Sequence, residues 1–171
     1  MPTTTEQLQR LRFWFVVYYL FNLVIGIWAS VIAVDALRSS SLPYMDVLDS
    51  VPDAAIVAWS LLVGGLFFAL GLFLFQQLLQ RKSWARAIML LIAWLTGISA
   101  LLGLLSTCGT FSASGWLARE MPGIDWGTMG LLNGLSNLAS LAFSAFTIRT
   151  LQFDQDIRQE FIQPAEPQRQ Q

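Results

Sequence analysis

One apolar segment near the C-terminus carries the side chains best placed to do chemistry. Gly130, Asn133, Gly134, Asn137, Ser140 and Ser144 recur at helical spacing. A helix would gather them on one face, with Leu131, Leu135, Leu138, Ala142 and Phe146 opposite. Asn22, Gly26 and Ser30 repeat the pattern near the N-terminus. Such a face has two uses in an apolar medium. Small residues let helix backbones approach closely, while amides and hydroxyls bond across, at about 0.6 kcal/mol per bond on average; Gly130-x-x-x-Gly134 has the spacing for this. Alternatively, Asn22, Asn133 and Asn137 line a cavity for a polar or amphipathic ligand. Helix packing is the leading reading, because glycine motifs are common in membrane helices.

Other chemistry is excluded by what the chain lacks. Its 171 residues include no histidine and one cysteine, Cys108. No internal disulfide or thiol pair can form. Histidine-ligated haem or zinc and a Ser-His couple are equally out of reach. No metal or cofactor is expected, and no enzymatic activity: a catalytic set would have to come from loop Asp, Glu and Arg. Asp46 and Asp49 are spaced for a weak divalent-cation site, but without EF-hand spacing they read first as a solvated acidic loop. Cys108 reads as an idle thiol before an intermolecular bridge.

The elements that must position these residues follow from hydropathy. Hydrophobic residues make up 55% of the chain and charged residues 12%, about half the share usual in soluble domains. Mean hydropathy is +0.56. Too little polar material remains to wet a surface, so the lipid bilayer is the expected solvent. A net charge of −1 argues against a nucleic-acid partner, which needs a basic patch. Four segments are long and apolar enough to cross about 30 Å of hydrocarbon: Phe13 to Val34, Ala54 to Leu79, Ala87 to Ser106 and Gly127 to Ile148. Sustained apolarity without interior proline predicts helices, not the alternating strands of a barrel. The first segment exceeds the usual h-region of a signal peptide and is expected to be a retained helix. The expected fold is an all-α, integral-membrane four-helix bundle, one domain over residues 1–163 with a disordered tail over 164–171.

Orientation comes from charge. Arg81, Lys82 and Arg86 crowd the short turn between the second and third spans, and Lys and Arg mark cytoplasmic loops. The loop from Asp35 to Asp53 holds four aspartates against Arg38, and the one from Thr107 to Trp126 holds Arg119, Glu120 and Asp125. Both are expected outside and both termini inside. Ser50-Val-Pro-Asp53 resembles a capping box for the second span; Ser83 and Asp125 are candidate caps for the third and fourth. Trp14 and Trp84 mark the inner interface, and Trp59, Trp116 and Trp126 the outer; Trp28 and Trp94 lie deeper and read as packing residues. A short interfacial helix is expected from Gly115 to Met121, stopped by Pro122-Gly123. Small residues also recur in the second span (Gly64, Gly65, Ala69, Gly71) and the third (Ala93, Gly97, Ala100, Gly103).

Beyond the fourth span, Phe153, Ile157 and Phe161 repeat every four residues beside an Asp154/Arg158 pair. This predicts an amphipathic cytoplasmic helix ending before Pro164. It can dock under the bundle, lie on lipid or bind a partner, and its low basicity weakens the lipid option.

The stretch RKSWARAIMLLIAWL, through Arg81, Lys82, Trp84, Ala85 and Arg86, resembles the R-[RK]-x-W-A-R start of the third helix in small bacterial four-helix membrane proteins of unknown function. FDQDIRQEF, with Asp156, Arg158 and Phe161, is similar to the tail following their last helix. The resemblance implies a bacterial inner (plasma) membrane and no activity. Two functions remain open: a non-enzymatic structural or accessory subunit associating through small-residue helix faces with other membrane proteins or itself, and a small channel, carrier or lipid-type ligand binder using the Asn/Ser face. No span centre carries the ionisable residue that ion coupling generally uses.

Overall fold

A computed structural model describes residues 4–39, 52–120 and 125–162. Within them the chain is all helical. Helix α1 spans Thr4–Ser39, α2 Asp53–Leu79, α3 Ser83–Glu120 and α4 Trp126–Ile148. A π-helical turn, Arg149–Phe153, follows α4, and a short α5 runs Gln155–Ile162. The four long helices are each apolar and long enough to cross a membrane, as their hydropathy requires.

Helices α1 and α3 outrun the expected spans. With 36 and 38 residues they measure about 54 and 57 Å at 1.5 Å per residue, well beyond the hydrocarbon core. The extension of α3 through Thr107–Ser112, expected as loop, has a local cause. Hydroxyls there bond back to carbonyls one turn earlier: Thr107 to Gly103 O at 2.8 Å, Thr110 to Ser106 O at 3.0 Å and Ser112 to Cys108 O at 2.9 Å. Polar side chains that looked destined for water are satisfied by their own helix. The expected separate helix from Gly115 is therefore a continuation of α3, described as far as Glu120. Met121, the Pro122-Gly123 stop, the Asp46/Asp49 pair, Ser50 and the 164–171 tail lie outside the described residues.

Caps differ in part from expectation. Asp125 caps α4, its Oδ1 accepting from Thr128 N at 3.1 Å. Ser83 does not cap α3: it is already helical, and the Lys82 carbonyl accepts from Ala85 N and Arg86 N. Pro52 takes the cap position of α2 with no side-chain bond. The α2–α3 turn closes by a Schellman pattern. Lys82 N donates to Gln77 O and Arg81 N to Leu78 O, which puts Arg81 in the left-handed region at φ 59°.

Spatially, α1 packs on α2 and α4, and α4 packs most extensively on α3. A cluster of buried side chains lies where the first turns of α1, the tight α2–α3 turn and the tail helix meet. There Leu8, Leu11 and Phe15 of α1 join Phe75 and Leu78 of α2, Ala85 and Met89 of α3, and Leu151, Ile157 and Phe161. The tail helix is thus docked beneath the bundle. Phe153 does not share its buried face, being 69% exposed. The reason is Asp154, which breaks the helix in an extended conformation and then starts α5, its Oδ1 accepting from Ile157 N. That break destroys the four-residue periodicity a continuous helix would have kept.

Candidate functional site

The stripe on α4 is a helix-packing face over most of its length. Gly130 lies against the Phe111 ring, a Cβ there standing 3.0 Å from Phe111 Cζ. Gly134 faces Thr107, Asn137 covers Gly103, and Ser144 faces Gly97. The partners run in opposite directions along the two helices, from Gly130 to Ser144 on α4 and from Phe111 back to Gly97 on α3, as an antiparallel pair requires. Apart from Phe111, the face on α3 is a line of small or short residues, with Ala93 and Ala100 almost fully buried as well. Lipid offers no hydrophobic drive for this contact, so close approach and dispersion must hold it.

Two stripe residues behave differently. Asn133 is exposed, so it lines no cavity with Asn22. Ser140 turns to α1, where its Oγ lies 3.1 Å from Tyr18 Oη. One turn away, Ser136 donates to Asn22 Oδ1, and Asn22 Nδ2 donates to its own helix at Tyr18 O. The polar face of α4 is therefore split, glycines and Asn137 toward α3, Ser136 and Ser140 toward α1. Tyr18 also stacks on Phe143 at 4.5 Å. Gly26 meets nothing within 4 Å of a built Cβ, while Ser30 donates to Gly26 O; neither is a close-approach point.

Two tyrosines outside the stripe hold α1 to its neighbours. Tyr18 ties α1 to α4, and Tyr19 donates to the Gly64 carbonyl of α2. Their spacing from Asn22, four and three residues, was the available signal. The cations at the turn also make tertiary contacts. Arg86 Nε donates to Leu151 O at 2.9 Å, and its guanidinium lies 5.7 Å from the Phe161 ring centroid. It holds both the π-helical turn and the tail helix. Arg81 reaches Thr5 Oγ1 at 3.1 Å, while Lys82 is exposed. Trp28 and Trp94, expected as packing residues, are 57% and 48% exposed. Trp94 Nε1 donates to Gln152 Oε1, which places it toward the turn end.

A cleft remains between α2 and α3. These helices make little contact beyond their shared turn, and among the described residues of α2 the buried side chains lie within Leu74–Leu78. The cleft encloses about 260 Å³ between Phe67 and Leu70 on one wall and Ile92 and Thr96 on the other. Ser144 and Thr147 form part of its lining. Thr147 is satisfied by Phe143 O at 2.9 Å. Ser144 is 1% exposed, and its hydroxyl has no hydrogen-bond partner.

No three His, Cys, Asp or Glu among the described residues are grouped to hold a metal ion. Cys108 is a free, exposed thiol. Against protein-family models, curated proteins and solved structures, this chain finds no match.

Proposed function

We propose that this chain is a non-enzymatic structural or accessory subunit of the bacterial inner membrane, with the tight turn and both termini in the cytoplasm. It works by association, and its partner is a membrane helix seated between α2 and α3. The carrying observation is the thin contact of α2 with α3, which meet at their shared turn and leave a cleft beyond it, while α1 covers the other side of α2 as far as Gly64. The α4 stripe is consumed by α3, so association falls to this seam. A partner helix there would cover Phe67, Leu70 and Ile92, and could offer a donor or acceptor to Ser144.

Photocrosslinking tests the seam. A crosslinker at Phe67 or Ile92, in native membranes, should capture one protein in stoichiometric yield, while one at Trp28 on α1 should give only lipid adducts. Lipid adducts at all three positions would defeat the reading. Orientation is checked by labelling Ser83→Cys in a Cys108→Ser background: an impermeant maleimide added to sealed cells should not react.

A second reading has its own observation. The orphan Ser144 hydroxyl in a mostly apolar cleft suits an amphipathic small molecule. Gentle purification followed by mass spectrometry would then recover a specific small molecule, lost in Ser144→Ala and in Ala93→Leu.

A further inference from the structure

Two neighbouring cavities on the α1–α4 face mark out an amphipathic groove. The first, about 440 Å³, lies at the turn end and is lined by Gln7, Arg10, Arg149, Thr150 and Asp154. The second, about 510 Å³, follows the same two helices toward the membrane middle, with Trp14 and Phe21 on α1 and Ala139 and Ala142 on α4. Phe146 lines both. Arg10, Trp14 and Phe21 recur at helical spacing, so the groove stays on one face of α1. From Trp14 to Phe21 it covers roughly 10 Å of helix rise. Charged and amide side chains are confined to one end, and the other is lined by apolar and aromatic side chains, Tyr18 among them.

We propose that this groove binds one anionic phospholipid with an uncharged, hydroxylated headgroup, of the phosphatidylglycerol type. The phosphodiester sits between Arg10 and Arg149, and an acyl chain lies along Ala139 and Ala142. Charge complementarity selects the occupant. Two guanidiniums against the Asp154 carboxylate leave one net positive charge, which a single phosphodiester neutralises. A zwitterionic lipid would bring an ammonium against the same arginines. Gln7 adds a reason for hydroxyls: its side chain lines the turn-end cavity, and a primary amide can pair with a glycerol hydroxyl. Thr150 offers a hydroxyl to the phosphate. Small side chains at 139 and 142 leave room for the chain, and the Trp14 ring lines it near the interface.

The test is lipid retention by the full chain in mild detergent, read by native mass spectrometry. The probes are phosphatidylglycerol, phosphatidylethanolamine and inorganic phosphate. The wild type should hold one phosphatidylglycerol in preference to phosphatidylethanolamine, and millimolar phosphate should not displace it. Arg10→Gln and Arg149→Gln should each weaken retention about fivefold, the worth of one basic contact at an anionic lipid surface. Arg10→Lys should keep most of it. Ala142→Trp, which fills the groove away from the arginines, should abolish retention. Equal retention of the two lipids by the wild type would overturn the proposal whatever the variants do. So would full displacement by inorganic phosphate, which would mean an anion site alone, or unchanged retention in Ala142→Trp.

Discussion

Gly103 is the point at which the α3–α4 packing argument is most exposed to test. A Cβ built there stands 2.6 Å from Asn137 Cγ, well inside the optimal 3.5–4.0 Å for carbon–carbon contact. Gly103→Ala therefore forces a shift of about 1 Å between α3 and the Asn137 side chain. Cγ hangs directly on Cβ, so a swing of the terminal amide does not relieve it; χ1 must change or the helices must part. Overpacking of this kind costs about 1–3 kcal/mol. Against it stands the gain from replacing a mid-helix glycine, about 0.5–1 kcal/mol. Gly26→Ala isolates that gain, because nothing lies within 4 Å of its Cβ. The two variants should thus differ by about 1–3 kcal/mol in opposite senses about the wild type or nearly so. At roughly 2–4 °C per kcal/mol for a chain of this size, thermal melts in detergent should separate them by several degrees. Adding Asn137→Ala to Gly103→Ala should recover most of the loss, a coupling that a double-mutant cycle measures. If both alanine variants were equally stabilised, or Asn137→Ala gave no rescue, the close-packed register of α3 on α4 would be wrong.

Two further outcomes follow from side chains outside the stripe. Arg86→Gln removes the donor to Leu151 O and the cation above Phe161, together about 1–3 kcal/mol; α5 should loosen, and limited proteolysis should cut the tail faster with the four spans intact. The Asp125 carboxyl is held below its ordinary value of 3.8, first by the Thr128 side chain and then by backbone N–H groups. A depressed value means the cap's contribution is complete above that ordinary pKa and is lost as pH falls through the folded one. The protection factor of the Thr128 amide, exchange taken relative to its intrinsic rate at each pH, should therefore fall in acid below about pH 4, and Asp125→Asn should remove that pH dependence; equal acid sensitivity in both would refute the cap.

One-dimensional signals account for what could be read from the chain directly. Hydropathy alone defines four apolar helices, because a bilayer leaves the backbone no partner but itself. Asp125 is legible as a cap because its acceptor serves the N–H three residues on. The buried face of α5 at Ile157 and Phe161 is likewise a local pattern. The rest depended on neighbours. A stripe on α4 says which residues share a face, but not which helix meets it. Only the packing reveals that Asn137 meets Gly103 while Ser136 and Ser140 meet α1, and that Asn133 meets neither. The hydroxyls of Thr107, Thr110 and Ser112 look like loop residues until their carbonyl partners in α3 are seen. The cations of the tight turn are a topology signal in sequence; tertiary structure makes one of them, Arg86, the link between the bundle and its tail. A side chain's type is fixed by the chain, whereas its partner is fixed by where helices distant in sequence come to rest.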